Sequence, residues 1–170
     1  TDADYHAGGY FSTVSSSAGA TQMGGYSIAN GVVIEKASSG NGKDMLIGNG
    51  ADNSLSSGGS NDMLAGGGGN DTLDGGTGDD ELIGGGGNDE LQGGSGTDTA
   101  FFSGPCASYN IDRDSAGVVT ISHIRGDGSD GVDVLTNVEF AKFSDATIDL
   151  TADEIDDCPP LDFIFLVDLS

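Results

Sequence analysis

The most regular feature of the chain is an apolar residue that recurs every nine positions through its middle third. Leucine occupies six consecutive places in this series: Leu46, Leu55, Leu64, Leu73, Leu82 and Leu91. The seventh place is taken by Ala100. Because side chains alternate between the two faces of a strand, one apolar residue between two neighbours predicts a short strand with the leucine pointing inward. The pattern therefore predicts one short strand per nine residues around a narrow core.

Glycine and aspartate recur in the same register. The unit reads G-G-x-G-x-D-x-U-x, where U is a large apolar residue, and it is matched in full by Gly66–Asp74, Gly75–Ile83 and Gly84–Gln92. Units that begin at Ser39, Gly48 and Ser57 are degenerate, and the unit that begins at Gly93 loses the leucine, which indicates that the repeat is ending. A flexible Gly/Asp-rich linker is the alternative, but a linker has no reason to keep a leucine period.

These residue types indicate a metal site built from oxygen ligands. Glycines at positions one, two and four permit positive φ and let backbone carbonyls approach closely. Carbonyl and carboxylate oxygens in flexible sets of six to eight suit Ca²⁺ better than Mg²⁺. Zinc or copper would need Cys or His, and the chain has only Cys106, Cys158, His6 and His123, none of them in ligand spacing. A β-helix of stacked turns with several calcium ions between them follows.

Residues 39–101 resemble the calcium-binding RTX parallel β-roll of proteins exported by type I secretion. The resemblance implies an all-β fold: a right-handed parallel β-roll (a β-solenoid) with a C-terminal β-rich cap. It also implies that positions two and four supply backbone oxygens and position six its side chain. Those positions are Gly40, Gly42, Asp44, Asn49, Ala51, Asn53, Gly58, Ser60, Asp62, Gly67, Gly69, Asp71, Gly76, Gly78, Asp80, Gly85, Gly87, Asp89, Gly94, Gly96 and Asp98. One edge would stack the turns of Asp44, Asp62, Asp80 and Asp98, and the other edge those of Asn53, Asp71 and Asp89.

The segment before the roll, from about Gly25 to Asn53, is similar to the stretch that leads into the roll of serralysin-type secreted metalloproteases. That similarity implies a role for Glu35 in binding the first calcium, and an exposed charge on an edge strand is the open alternative. The protease signature H-E-x-x-H is absent from the sequence.

The segment after the roll alternates in the manner of short strands, namely FF, SYNIDR, GVVTISHI, VDVL, VEFAKF and ATIDL. It resembles the β-rich segment that closes many RTX arrays, and a solenoid end needs such a cap because its core and backbone are otherwise open. The run Gly126–Asp133 is interpreted as an acidic hairpin turn, with a calcium site through Asp127, Asp130 and Asp133 as the alternative. We expect His123 to face solvent.

Cys106 and Cys158 bracket the cap, and two cysteines in an extracellular chain most often pair, with two free thiols as the alternative.

The last apolar run resembles the first strand of a von Willebrand factor A domain, or else a C-terminal secretion signal. The predicted organisation is an N-terminal lead-in (1–38), the roll (39–101), the cap (102–155), and a linker with an apolar strand (156–170).

The net charge of the chain limits the kinds of molecule that it can bind. The 170 residues include 28 Asp and Glu but only 5 Lys and Arg, which gives a net charge of −23. Such a chain repels nucleic acid and anionic membranes and attracts cations. It has no apolar run long enough to span a membrane, and its first residues lack the features of a signal peptide.

The sequence therefore predicts a non-enzymatic calcium-binding module of a larger secreted polypeptide, located outside the cell or at its surface. Two alternatives stay open. One is the C-terminal region of a serralysin-like zinc protease without its catalytic domain, and the other is the repeat region of a calcium-dependent adhesin or surface protein.

Overall fold

The computed structural model describes residues 35–126, 128–152 and 158, together with the backbone of residues 24–27. Its strands are β1 (Gly24–Ser27), β2 (Lys36–Ser38), β3 (Asp44–Ile47), β4 (Ser54–Ser56), β5 (Met63–Gly68), β6 (Thr72–Thr77), β7 (Glu81–Gly86), β8 (Glu90–Ser95), β9 (Thr99–Phe101), β10 (Tyr109–Arg113), β11 (Val119–His123), β12 (Val132–Thr136), β13 (Phe140–Lys142) and β14 (Thr147–Asp149). The one helical element among the described residues is a 3₁₀ turn, Cys106–Ser108. The expectations for Asp127 and for the last apolar run lie outside the described residues.

The strands form two seven-stranded sheets, ordered β1-β3-β5-β7-β9-β13-β14 and β10-β11-β12-β8-β6-β4-β2. Successive strands of the roll therefore alternate between the sheets. Within each sheet they pair in parallel with partners 18 residues apart, as Leu64 with Leu82 and Leu73 with Leu91. Two nine-residue units thus make one coil, which confirms the predicted all-β solenoid.

The core of the roll is the row of leucines. Each of the six leucines in the series is 0–2% exposed, and Ala100 continues the row with no exposed surface. Full burial of one leucine side chain contributes about 1.5–3 kcal/mol. A coil holds only two leucines, so the roll has a thin apolar core.

The cap continues both sheets beyond the last coil. β12 pairs in parallel with β8, and β10 and β11 extend that sheet in antiparallel fashion. β13 pairs in parallel with β9, and β14 closes the second sheet. The rings of Phe102, Tyr109 and Phe143 pack against one another, with centroids 5.0–5.3 Å apart. The edges left by the last coil are therefore paired, as a solenoid requires.

A disulfide joins Cys106 to Cys158, with the two Cα atoms 5.2 Å apart and 52 residues apart in sequence. In the loop-entropy account, closing a loop of that length stabilises the folded chain by about 4 kcal/mol. The described residues contain no helix that is long and apolar enough to cross a membrane.

The prediction that His123 faces solvent is wrong. Its side chain is 9% exposed and its ring stacks on Tyr109 at 4.7 Å between centroids. Alternation along β11 places His123 on the same face as Val119 and Ile121, which are buried in the core. The loop that leads into β12 adds a contact, because the backbone N–H of Asp130 donates to His123 Nδ1 at 3.3 Å.

Candidate metal centres

The sixth position of each unit forms a hydrogen-bonded ladder along both edges of the roll. One carboxylate oxygen, Oδ1, accepts a hydrogen bond from the backbone N–H of the sixth residue one coil earlier. The bonds run from Asp44 to Asp62, Asn53 to Asp71, Asp62 to Asp80, Asp71 to Asp89 and Asp80 to Asp98, at 2.7–2.8 Å. The predicted stacking order on both edges is therefore present, and each carboxylate is held by the coil before it.

The second oxygen of these carboxylates has no partner. Oδ2 is buried without a hydrogen bond, among the described residues, in Asp62, Asp71, Asp80, Asp89 and Asp98. All five side chains are 0–2% exposed. A buried acceptor without a partner costs about 1–3 kcal/mol, and more if it is charged. Five such oxygens in register are what a row of cation sites leaves when only the protein atoms are considered.

Burial also changes how these groups bind protons. Desolvation raises the pKa of Asp71 and of Asp98 to about 6. The pKa values of Asp62, Asp80 and Asp89 are raised by the same cause. Neighbouring carboxylates add to the shift, since the charge of Asp89 raises the pKa of Asp71. Each site therefore favours a positive charge, either a proton or a metal ion.

The glycines at positions two and four bring backbone carbonyls close together in successive coils. Gly87 has φ +125°, and a Cβ there would lie 1.9 Å from the carbonyl oxygen of Gly69, at the same position one coil earlier. A Cβ on Gly85, with φ +105°, would lie 2.1 Å from the oxygen of Gly67. These positions must stay glycine, because any side chain would push the coils apart.

Backbone oxygens are needed for any ion on these edges. Among the described residues, no three Asp, Glu, His or Cys side chains come together as a metal site. The carbonyls of positions two and four and the position-six carboxylates belong to the same turns, and both are hard oxygen donors. The donor chemistry therefore fits calcium, which accepts carbonyl and carboxylate oxygens in variable number.

Two sequence-predicted positions differ from the rest of the ladder. Asn53 turns its side-chain oxygen to the backbone N–H of Asn49 in its own unit, at 2.9 Å. The side chain of Glu35 is exposed. Its backbone oxygen accepts a hydrogen bond from Ser54 N at 2.7 Å, and the backbone oxygen of Asn53 accepts the equivalent bond from Thr72 N at 2.8 Å. Glu35 thus occupies the sixth-position level one coil before Asn53, and its role as a ligand stays a prediction.

The ladder continues into the cap, which the sequence analysis missed. Asp133 Oδ1 accepts from Asp89 N at 2.9 Å, and Glu139 Oε2 accepts from Asp98 N at 2.7 Å. The signal was present in the segment GSDGVDVLT, residues 128–136, which places Gly, Gly, Asp and Leu at positions one, four, six and eight. Residues 102–127 separate this eighth unit from the seventh, so a fixed period of nine does not find it.

A second ladder, also missed, uses the fifth position of the unit. The side-chain oxygen of an Asp or Asn accepts from the backbone N–H of the fifth residue one coil later, at 2.7–3.1 Å. The acceptors are Asp52, Asn61, Asn70, Asp79 and Asn88. The recurrence of Asp or Asn at a position treated as variable is the signal that could have revealed it.

The repeats match a known family. Residues 38–73 and 66–100 match the model of the RTX calcium-binding nonapeptide repeat, which describes four copies of the unit. Residues 38–100 are RTX repeats. Their stacked carboxylates and glycine turns are thus the elements of a calcium-binding repeat, in a chain whose cap carries one further, displaced copy.

A solved structure shows a limited likeness to the chain. The chain is similar to the extracellular lipase LipA from Serratia marcescens, with 16% sequence identity and a TM-score of 0.36. The likeness covers 68% of this chain and 18% of the lipase chain. No curated protein sequence matches the chain.

Proposed function

We propose that this chain is a calcium-binding module of a larger secreted protein and that it folds when calcium binds. The observation that carries the proposal is the row of five buried Oδ2 atoms without a partner at the sixth positions of the RTX units. Position-six carboxylates, together with the carbonyls of positions two and four, would hold the ions. Calcium supplies there the positive charge and the coordination that these oxygens lack.

The balance between charge and core supports coupling of folding to calcium. A net charge of −23 opposes compaction, and a coil that buries two leucines gains little apolar stabilisation. In a cytosol with little free calcium the chain would remain unfolded and competent for export. Outside the cell, calcium would neutralise the turns, so that the free energy of binding becomes free energy of folding.

The proposal is tested by calcium titration of the metal-free chain, followed by circular dichroism and thermal melting. We expect the β-sheet signal and a cooperative melting transition to appear with calcium and to be lost with chelator. Magnesium at the same concentration should restore little of either, because its small octahedral shell resists many protein oxygens.

Sodium chloride at matched ionic strength is the control for general screening of the −23 charge. Screening acts on exposed charges and leaves buried carboxylates without a partner, so we expect no folding in the salt control. A spectrum and a melting temperature that do not change when calcium is removed would contradict the proposal.

A further inference from the structure

The disulfide between Cys106 and Cys158 closes a loop that contains every strand of the cap. The two residues are 52 positions apart, and strands β10 to β14 lie between them. The chain has no other cysteine, so one pair of thiols accounts for all of its thiol–disulfide chemistry. Reduction or oxidation of this pair therefore acts on the cap as a whole.

The same loop ends both position-six ladders of the roll. Asp133 Oδ1 accepts the backbone N–H of Asp89 at 2.9 Å, and Glu139 Oε2 accepts that of Asp98 at 2.7 Å. Strands β12 and β13 also cover the edges of β8 and β9. The disulfide thus constrains the segment that completes the last coil.

The contacts that bring the two cysteines together belong to the folded cap. Cys106 is 1% exposed, and its backbone N–H donates to Asp145 Oδ1, between β13 and β14, at 2.8 Å. On the side of Cys158, Arg113 Nη1 in β10 donates to the backbone oxygen of Ala152, after β14, at 2.8 Å. These contacts use strands of both sheets, so the 5.2 Å separation of the two Cα atoms requires cap strands that are paired with the roll.

Calcium binding and disulfide formation favour the same folded state. Two events that stabilise one state are coupled reciprocally, because each raises the equilibrium constant of the other by the same factor. In the loop-entropy account, a disulfide restricts the unfolded chain, and a typical one raises the folding equilibrium constant by about 30- to 1,000-fold. The same factor should separate the oxidation constants of the folded and the unfolded chain.

We propose that the Cys106–Cys158 disulfide and calcium binding by the roll are coupled through the cap, an inference that rests on the calcium-driven folding proposed above. Calcium favours oxidation of the cysteine pair, and the disulfide in turn raises the affinity of the roll for calcium. In a reducing compartment with little free calcium the chain has neither form of stabilisation. Outside the cell each form strengthens the other.

The oxidant is a small-molecule disulfide such as oxidised glutathione. The thiolate of one cysteine attacks this disulfide, forms a mixed disulfide and releases one glutathione thiol. The thiolate of the second cysteine then attacks the cysteine sulfur of the mixed disulfide and releases the other glutathione thiol. Two electrons and two protons thus pass from the cysteine pair to glutathione.

A redox titration of the full chain tests the effect of calcium on oxidation. Reduced protein is equilibrated with mixtures of reduced and oxidised glutathione, in calcium or in chelator, and the remaining thiols are alkylated and counted by mass spectrometry. We expect the equilibrium constant for oxidation to be about 30- to 1,000-fold larger in calcium. Equal constants in calcium and in chelator would overturn the proposal.

A calcium titration followed by circular dichroism tests the reverse effect. The oxidised chain should fold at a lower calcium concentration than the reduced chain. Cys106→Ala combined with Cys158→Ala is the matched control: its midpoint should equal that of the reduced chain and should not respond to glutathione. If this variant does not fold, the oxidised and reduced forms of the original sequence decide the question by themselves. The same midpoint for both forms would also overturn the proposal.

Amide hydrogen exchange in saturating calcium tests whether the coupling acts through the cap. The N–H of Asp98 donates to Glu139 inside the disulfide loop, and the N–H of Asp62 makes the equivalent bond to Asp80 on the same edge of the roll. Reduction should speed exchange at Asp98 more than at Asp62, because a cap that is less stable opens more often. A change at Asp98 that is no larger than the change at Asp62 would overturn the proposal.

Failure of calcium-driven folding itself would give a different result. In that case the circular dichroism of neither redox form would change with calcium. If only the coupling is wrong, both forms would fold with calcium, and their midpoints would be the same.

Discussion

At the sixth position of each RTX unit, the two oxygens of one carboxylate have different surroundings. Oδ1 of Asp71 accepts the backbone N–H of Asn53 at 2.7 Å, whereas Oδ2 is buried without a partner. The first contact fixes the side chain between two coils, and the second oxygen is left for a ligand that the protein does not supply. The same residue thus sets both the spacing of coils and the affinity for cations.

Substitution of Asp71 separates these two roles. Asp71→Asn keeps an oxygen for the N–H of Asn53 but removes the charge, and Asp71→Ala removes both. We expect both variants to bind calcium at least about tenfold more weakly at the neighbouring sites of one edge, since ligand charge sets calcium affinity. The edge of Asp62 and Asp80 should remain mostly loaded.

Calorimetric titration of each Asp71 variant with calcium measures the effect. Glu90→Gln is the matched control, because Glu90 is an exposed acid one position after Asp89. Asp71→Ala should also melt at a lower temperature than Asp71→Asn in saturating calcium. An unchanged affinity in both variants would exclude Asp71 as a ligand.

Individual ladder residues could be predicted from the sequence only where the period of nine holds. Asp71 and Asp89 were found because each lies at a fixed distance from a leucine. Asp133 was missed because an inserted hairpin displaces it from the period of nine. Glu139 was missed because the last turn is shortened and uses a longer acid.

The burial of His123 could have been predicted, because alternation along β11 places it on the face of Val119 and Ile121. Its contact with the Asp130 backbone could not, because that contact depends on how the following loop packs.

At the scale of the element, the glycine turns decide how closely the coils stack. Position four is occupied by Gly69 and Gly87 in successive coils, and a Cβ on Gly87 would lie 1.9 Å from the oxygen of Gly69. The eighth unit also requires glycine at position four, since a Cβ on Gly131 would lie 2.1 Å from the oxygen of Gly87. The turn chemistry thus extends past the repeats into the cap.

Gly87→Ala tests this requirement. Alanine at φ +125° is strained, and its methyl group would displace the carbonyl of Gly69. We expect the variant to lose about 2 kcal/mol or more in the free energy of unfolding in saturating calcium. Gly50→Ala is the matched control, because a Cβ there meets nothing within 4 Å, and the expected change is within about 1 kcal/mol. Equal denaturation midpoints of the two variants in urea would contradict the stacking account.

The order of the roll strands follows from the sequence, whereas the pairing of the cap strands does not. With two nine-residue units per coil, the partners of Leu73 on either side are Leu55 and Leu91. The cap strands lack such a period. Their placement, with β12 on β8 and β13 on β9, is decided by which edges the last coil leaves unpaired.

For the whole molecule, the central quantity is negative charge held in buried positions. Many of the acidic side chains that the structure describes are exposed, and their charge is screened by salt. The position-six carboxylates and Asp133 are different, because they are almost completely buried. Protons and calcium compete for this second group, so the stability of the molecule depends on pH in opposite ways with and without the metal.

The metal-free chain should become more stable as pH falls from 8 to 5. Burial raises the pKa of Asp71 and Asp98 to about 6 and that of Asp133 to about 8, above the ordinary value of 3.8. The folded state therefore binds protons more tightly than the unfolded state, and its stability falls as pH rises through these values.

Calcium needs the ionised carboxylates, so its affinity should fall below about pH 6. Circular dichroism of dialysed, metal-free protein, whose β-sheet signal should grow on acidification, and calcium titration across this range measure the two trends. Both are run in 1 M NaCl, where the Debye length is about 3 Å, so that a pH dependence that persists belongs to the buried groups. A metal-free chain that loses stability on acidification under these conditions would refute the assignment of buried carboxylates as the charge that calcium neutralises.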